Sequence, residues 1–127
     1  MGDNVCGGRL CFKVMVFLFI IVVIRAIPNH FAEIPELFSS PDYALVGIGA
    51  YKPRWFMRPN HISPHEALTA SQEMHAGLTI PMHYGTFDLS DEPLHDPPQV
   101  FAAEARKRNI KVAIPTLGDI VKLKKQK

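Results

Sequence analysis

The sequence predicts an α/β domain in which helices are layered against a sheet (α+β layering), and three observations support this prediction. Two short apolar runs, residues 43–48 and 78–82, have the length and composition of buried strands. Between them, residues 63–77 carry a helix start, apolar residues at helical spacing and a glycine stop. The chain has 127 residues, of which 47% are apolar, so it forms one domain at most with a modest core.

An unbroken apolar run occupies residues 14–24. Because the wider stretch from Leu10 onward approaches the length of a membrane-spanning helix, about 20 residues, we predict residues 1–27 as an apolar N-terminal segment and candidate membrane anchor. A buried strand is the alternative, since Val, Ile and Phe also favour sheets. A cleaved signal peptide fits less well, because the residues around Arg25 make a poor cleavage site.

The composition changes at Pro28, and we predict a domain over residues 28–123 followed by a basic tail, residues 124–127. The domain begins with apolar side chains at helical spacing in residues 30–38, where Pro35 breaks or opens any helix. The first strand, predicted from the apolar run described above, follows the turn after this segment.

Residues 51–59 hold two prolines, which predict irregular structure, together with three aromatic and three cationic side chains. A loop of this composition either packs onto the domain or lines a pocket. The helix after it has a strong start, because Ser63 and Glu66 form a capping box around Pro64. Gly77 is predicted to end this helix.

The second half of the chain continues the alternation of helices and strands. A loop with three prolines and four carboxylates, residues 86–98, leads to a second helix that Asp96 is predicted to cap and that ends at Asn109. Short strands are predicted at residues 110–114 and 120–123. The order from residue 43 is therefore strand, helix, strand, helix, strand, strand, as in an α/β layered domain.

Charge is distributed unevenly along the chain. The net charge of +2 is too small to indicate nucleic-acid binding, but the last six residues hold four lysines. Such a tail either contacts anionic lipid or is a solvated terminus. We expect the protein to be membrane-associated or cytoplasmic. Cys6 and Cys11 are read as free thiols, because two cysteines do not make a disulfide framework.

His83 is the strongest candidate for chemistry among the six histidines. It follows the predicted strand at residues 78–82, and Gly85 comes two residues later, so the strand would deliver this imidazole to the rim of the sheet. The alternative is that His83 has a structural role and makes its hydrogen bonds within the protein. No two histidines have the spacing by which one segment presents two imidazoles to a metal, and His65, His75 and His95 are read as surface residues.

Two stretches resemble a known family. Residues 47–57, GIGAYKPRWFM, and residues 82–87, MHYGTF, resemble the C-terminal part of metallo-β-lactamase-fold hydrolases close to N-acylphosphatidylethanolamine-hydrolysing phospholipase D. The resemblance covers about residues 30–123. It implies the C-terminal half of an αββα sandwich with two zinc ions at its edge. It also implies hydrolysis of a phosphodiester to phosphatidic acid and an N-acylethanolamine.

Carried over residue by residue, the resemblance implies roles for six side chains. His83 matches the last histidine ligand of the metal pair. His61 matches a histidine that faces the substrate head group. Matches to the aromatic loop that borders the site, and hence to substrate contacts, are Tyr51, Arg54, Trp55 and Phe56.

The chain also departs from the family. The His-x-His-x-Asp-His cluster that supplies most metal ligands is absent. Asp3 is the only residue that partly matches the bridging aspartate of the family. We therefore expect a partial hydrolase with little or no turnover alone, preceded by a foreign N-terminus, whose site a complementing chain or a homodimer would complete. Its expected partners are a phospholipid-like substrate and a membrane surface. The alternatives are a small non-catalytic membrane-associated protein and a truncated, non-functional gene product.

Overall fold

The structure, a computed structural model, describes residues 19–22 and 31–124. The elements in chain order are β1 (Phe19–Val22), a 3₁₀ turn (Phe31–Glu33), α1 (Ile34–Phe38), β2 (Tyr43–Gly47), α2 (Arg54–Met57), α3 (Pro64–Glu73), β3 (Leu78–Met82) and α4 (Asp96–Arg108).

The three strands form a parallel sheet in the order β1-β2-β3. Tyr43 aligns with Phe19 on one side and with Leu78 on the other. Because all three strands run the same way, the ends of β2 and β3 meet at one edge of the sheet, where Ile48 N donates to Met82 O over 3.1 Å. Ligand sites of open α/β sheets lie outside the carboxyl ends of the strands.

The core lies between the sheet and helices α3 and α4. Its fully enclosed apolar side chains come from β2, α3, α4 and the residues that directly follow β2 and α3, and the largest of them include Val46, Leu68, Met74 and Phe101. One polar link crosses this apolar layer, because the buried hydroxyls of Ser71 in α3 and Thr79 in β3 hydrogen-bond to each other. Layering of helices on a sheet, predicted from the sequence, is confirmed.

The predicted start of α3 is confirmed, and its predicted end is wrong. Ser63 Oγ accepts from Glu66 N at 3.3 Å while Glu66 Oε2 accepts from Ser63 N at 2.7 Å, which is a complete capping box. The helix ends at Glu73 rather than at Gly77, because His75 already takes the left-handed conformation with φ +54°. The residue that takes this left-handed conformation after a helix is commonly glycine, and here it is a histidine.

Asp96 begins α4 but does not cap it. The cap position belongs to His95, which makes no side-chain capping bond. If Asp96 were the cap, its carboxylate could accept from the second or third residue after it, and the second is Pro98, which has no backbone N–H. The Asp96 carboxylate is instead hydrogen-bonded to the hydroxyl of Tyr51.

The segment of residues 51–59, predicted to be irregular, contains the one-turn helix α2. Its two prolines flank this turn instead of interrupting it, because Pro53 precedes Arg54 and Pro59 comes after Met57. The prediction of irregular structure was wrong for α2, because the five residues between the two prolines all have the N–H groups that a helical turn needs.

The two strands predicted near the C-terminus do not form as strands. Of residues 110–114, only Val112 pairs, in a single parallel bridge to Thr79 at the free edge of β3. Residues 120–123 lie outside any strand, and Ile120 is 89% exposed. Residues 110–114 lie along β3 and pack on the core through Ile110, Val112 and Ile114, but they make only this one bridge. Residues 120–123 have no strand beside them in the described part of the chain.

Within the apolar N-terminal run, the four described residues form β1, as the strand alternative expected. No helix in residues 19–22 and 31–124 is long and apolar enough to cross a membrane. Asp3, Cys6 and Cys11 lie outside the described residues. The boundary between residues 27 and 28 stays a prediction.

Candidate functional site

His83 is the first residue after β3, at the carboxyl edge of the sheet. Its side chain is exposed and its backbone has φ +59°, so the chain turns sharply as soon as the strand ends. Gly49, just past the end of neighbouring β2, makes this turn possible. A Cβ added to Gly49 would lie 2.1 Å from His83 O, so only glycine allows the two backbones to approach this closely.

His61 lies against His83 although 22 residues separate them in sequence. The two rings are parallel within 4°, with centroids 5.3 Å apart, and His61 Nδ1 is 3.3 Å from His83 Nε2. Burial lowers the pKa of His61, and the neighbouring His83 and Arg54 lower it further. The imidazole of His61 is therefore neutral at pH 7, with one nitrogen donating and the other accepting.

Both terminal nitrogens of the Arg54 guanidinium are hydrogen-bonded to other groups of the protein, although the side chain is 32% exposed. Its Nη2 donates to both carboxylate oxygens of Glu66, at 2.9 and 2.7 Å. Its Nη1 donates to the backbone oxygens of His61 at 3.1 Å and Tyr51 at 3.3 Å. Arg54 therefore ties α2 to the start of α3 and to the main chain that carries the His61 imidazole.

A buried carboxylate holds the loop on the other side of α2. Glu92 is 4% exposed, and its two oxygens accept from the backbone N–H groups of Tyr51 at 3.0 Å and Lys52 at 2.9 Å. Burial by itself would raise the pKa of Glu92, but these hydrogen bonds and one from Ser90 outweigh it, so the pKa lies below its usual value. The loop is thus anchored by an ionised side chain.

Tyr51 is packed into the protein rather than presented to solvent. Its ring is buried, and its hydroxyl is hydrogen-bonded to Asp96, whose carboxylate also lies 3.8 Å from Lys52 Nζ. Burial, and after it the bond to Asp96, raises the pKa of Tyr51 well above its usual range. This phenol stays protonated at any physiological pH.

Trp55 and Phe56 project from α2 into solvent. Trp55 is 83% exposed and Phe56 63%, and their rings meet edge to face with centroids 5.7 Å apart. We call these two residues the aromatic pair. Large aromatic side chains left in water on a turn this well anchored indicate a surface that contacts something apolar.

A cavity of about 170 Å³ opens beside His83. Its wall is formed by the ends of β2 and β3, by the loop after His83 and by the start of α4, and includes Gly49, Phe87, Glu92 and Pro97. His83 therefore forms part of the wall of a recess that is lined mostly by apolar groups.

The described residues do not by themselves form a zinc site. Catalytic zinc takes three protein ligands, and residues 19–22 and 31–124 contain no group of three or more His, Cys, Asp or Glu side chains that could hold a metal. Two imidazole nitrogens 3.3 Å apart can both lie at 2.0–2.1 Å from one ion, so His61 and His83 fit part of a site.

The structure places most of the residues predicted for the site within one region. His61 and His83 are brought into contact, and the aromatic pair lies on the turn next to them. Tyr51 and Arg54 are in the same region but face other protein groups, so their assignment as substrate contacts stays a prediction. Asp3, the other predicted ligand, lies outside the described residues.

Three further residues that build the region were not assigned to it from the sequence. Gly49 lies in the stretch of residues 47–57 that carries the resemblance, where it has no role of its own, and Glu66 is assigned only to the helix cap. Glu92 is one of four carboxylates in a long loop, with no feature to distinguish it from the others. The sequence signals that include Gly49 and Glu66 therefore do not indicate the contacts that these residues make.

Comparison with known proteins agrees with this arrangement. The model of the Beta-lactamase superfamily domain matches residues 25–84. N-acyl-phosphatidylethanolamine-hydrolyzing phospholipase D 1 of Caenorhabditis elegans is 40% identical over 60 residues, 47% of this chain and 17% of that protein. An uncharacterized protein of Mycobacterium tuberculosis is 34% identical over 97 residues, 73% of this chain and 25% of its own.

A solved structure extends the comparison to the fold. Igni18, a metallo hydrolase from the archaeon Ignicoccus hospitalis, superposes with a TM-score of 0.55 and 26% identity, over 73% of this chain and 35% of its own. The chain is therefore a partial metallo-β-lactamase-fold protein, related to the N-acyl-phosphatidylethanolamine-hydrolyzing phospholipases D. It spans a quarter or less of the length of the curated relatives it matches.

Proposed function

We propose that this chain supplies the C-terminal, substrate-facing part of a zinc-dependent phosphodiester hydrolase that acts on N-acylphosphatidylethanolamine or a similar phospholipid. The observation that carries the proposal is the pairing of His61 with His83 at the carboxyl edge of the parallel sheet. The named activity of the Caenorhabditis elegans relative, and of a Saccharomyces cerevisiae relative that is 36% identical over 72 residues, supports the substrate class.

The two imidazoles have different tasks in this proposal. His83 is a metal ligand, and His61 faces the phosphate of the substrate. When His83 binds the metal through Nδ1, its Nε2 hydrogen can be donated to His61 Nδ1. The neutral His61 then carries its own hydrogen on Nε2 and can donate it to a phosphate oxygen. The lowered pKa of His61 keeps this neutral form dominant at pH 7.

The remaining metal donors have to come from outside the described residues, or from a complementing chain or a second copy. His83 alone gives a weak and incomplete metal site, so we propose that the chain has little or no turnover by itself. The zinc pair would supply Lewis-acid chemistry to the phosphodiester in the complete site. The contribution of the described residues is to orient the head group and to provide a neutral donor.

Zinc titration by calorimetry tests the metal part. Structural zinc sites bind with about 10–16 kcal/mol, so we expect this chain to bind zinc with a Kd weaker than about 1 μM. His83→Ala should abolish this binding, and His75→Ala, which removes an exposed histidine outside the site, should leave it unchanged. Tight stoichiometric binding that survives His83→Ala would contradict the proposal.

Nuclear magnetic resonance tests the substrate part. Added sn-glycero-3-phosphoethanolamine, a phosphodiester head group without acyl chains, should shift the signals of His61 and of the loop after His83. His61→Ala should remove these shifts. A second surface cavity, lined by His75, Arg108 and Lys111, is the competing anion site, and shifts confined to it would overturn the assignment.

A second function, lipid-surface binding without catalysis, is favoured by the exposure of the aromatic pair. Large aromatic side chains are favourably placed at the boundary between water and the acyl chains of a membrane. We expect Phe56→Ala to weaken sedimentation with phosphatidylethanolamine vesicles. The matched control is Phe38→Ala at the end of α1, where a phenylalanine is exposed to a similar degree, 66%. Equal binding by both variants and the wild type would reject this function.

A further inference from the structure

The geometry points to Arg54 as the positioning residue that holds the His61 imidazole against His83, rather than as a ligand for the substrate phosphate. This inference rests on the proposed function, since it names the residue that organises the same site. It reverses the role that the sequence suggests for Arg54, where a cation beside aromatic side chains reads as a head-group contact.

The first argument is that the four hydrogen bonds of Arg54 use both terminal nitrogens. Nη2 faces the Glu66 carboxylate, and Nη1 faces the two backbone oxygens. The two terminal nitrogens could bind a phosphate only after a bond to Glu66 or to a backbone oxygen is broken. Charge-assisted hydrogen bonds to a carboxylate are among the strongest that a side chain makes, so this exchange is unfavourable.

The second argument is that the bonds of Arg54 converge on the short connection between α2 and α3. His61 N donates to Met57 O at 2.8 Å, and His61 O accepts from Arg54 at 3.1 Å. The main chain of His61 is therefore held on both sides, by the end of α2 and by the guanidinium. The position of that main chain limits the directions that the His61 imidazole can take to a few rotamers, one of which reaches His83.

The third argument concerns the other end of the ion pair. Glu66 Oε2, which accepts from Arg54 at 2.7 Å, also accepts from Ser63 N at 2.7 Å in the capping box. One carboxylate thus joins the helix start and the guanidinium. Because α3 is packed on the sheet through its buried face, this junction connects His61 to the same rigid body that carries His83.

Arginine is required for this task because of its shape. The planar guanidinium offers donors in a fixed fork that reaches four acceptors at once. A lysine ammonium has three donors and no fork, so it can keep the charge opposite Glu66 but not the two carbonyl contacts as well. Arg54→Lys therefore separates charge from geometry.

The test measures the histidine pair directly in the full chain, without zinc or lipid. In the wild type, the carbon-bound ring hydrogens beside the facing nitrogens of His61 and His83 should give a nuclear Overhauser cross-peak. We expect the cross-peak to be lost in Arg54→Ala and not restored in Arg54→Lys. Amide spectra of core residues such as Val46 and Phe101 report that each variant is folded.

Arg58→Ala is the matched control, since it removes a neighbouring arginine of the same segment. Arg58 is mostly exposed, and its Nε lies 3.8 Å from Glu66 without contacting the backbone of His61. This variant should keep the cross-peak. If Arg54→Ala does not fold, Arg54→Lys decides the question, and a wild-type cross-peak in either folded Arg54 variant would overturn the inference.

This outcome is separate from that of the proposed function. A chain that binds neither zinc nor a phosphodiester can still show the cross-peak and its loss in Arg54→Ala. Conversely, zinc and head-group binding that persist in a folded Arg54→Ala variant without the cross-peak would show that the site works without this pairing.

Discussion

The two imidazoles of the candidate site are held in place by different means. His83 is positioned by the backbone, through the end of β3 and the close approach of Gly49. His61 is positioned by side chains, through Arg54 and its partner Glu66. A steric change should therefore displace His83, whereas the loss of a hydrogen bond should displace His61.

Gly49→Ala should have the largest effect, because the new methyl group would lie 2.1 Å from a backbone oxygen that cannot move without the strand end. We expect a loss of about 3 kcal/mol in the free energy of unfolding, measured with urea. Gly85→Ala is the control, since Gly85 has φ +76° but open space around it, and should cost about 1 kcal/mol. Equal losses would refute the tight approach at His83.

Glu92→Ala should come next, because it leaves the N–H groups of Tyr51 and Lys52 without their acceptor at a buried site. We expect a loss of about 2 kcal/mol in the free energy of unfolding. Glu92→Gln, which keeps the shape and one acceptor oxygen, should lose about half as much. A loss no larger in Glu92→Ala than in Glu92→Gln would show that the backbone bonds contribute little.

The same carboxylate should make stability depend on pH. Its pKa in the folded state lies below the ordinary value of 4.5, so the folded protein binds fewer protons than the unfolded chain between these values. The stabilisation is complete above the ordinary pKa and is lost as the pH falls through the folded one. The urea midpoint should fall as the pH is lowered below the ordinary pKa of 4.5, and fall less in Glu92→Gln. Parallel curves would exclude this carboxylate as a source of acid sensitivity.

Ser63→Ala tests the His61 side more gently. It removes the capping oxygen of α3 but leaves Glu66 bonded to Arg54, so we expect a loss of about 1 kcal/mol and an unchanged histidine pair. Gln72→Ala, at an exposed position of the same helix, should change stability by less than about 0.5 kcal/mol. A lost histidine contact in Ser63→Ala would mean that the cap, not Arg54, positions His61.

Trp55→Ala should have the smallest effect on stability, less than about 0.5 kcal/mol, because its ring is mostly in water. Thermal unfolding followed by circular dichroism measures it. The variant tests whether only the groups that contact His61 or His83 matter, since Trp55 directly follows Arg54 and yet supports neither imidazole. A loss as large as that of Ser63→Ala would show that the aromatic pair is part of the framework after all.

The sequence predicted those parts of the fold that depend on local patterns. The apolar runs of β2 and β3 and the capping box of α3 are each contained in a few adjacent residues. The position of His83 at a strand end followed from the same kind of pattern. Where the local signal was ambiguous, as for Asp96 before two prolines, the predicted cap was wrong because the carboxylate has a better partner in Tyr51.

The rest of the site depends on contacts between distant segments. Nothing local to His61 indicates that it meets His83, since that contact requires α2, α3 and β3 in place. The interior role of Arg54 depends on two carbonyl oxygens, which no side-chain pattern reveals. Only the folded structure distinguishes Glu92 from the other acids of its loop, because it shows Glu92 accepting from the backbone N–H groups of Tyr51 and Lys52.

The hydroxyl pair of Ser71 and Thr79 has a consequence for how the layers are aligned. Each group is enclosed, and each is satisfied by the other across the contact between helix and sheet. If α3 slid by one turn along the sheet, two dehydrated hydroxyls would be stranded among aliphatic groups, at a cost that apolar contacts alone would not impose. The pair therefore adds little to the free energy of unfolding, but it destabilises alternative packings in which α3 is shifted along the sheet.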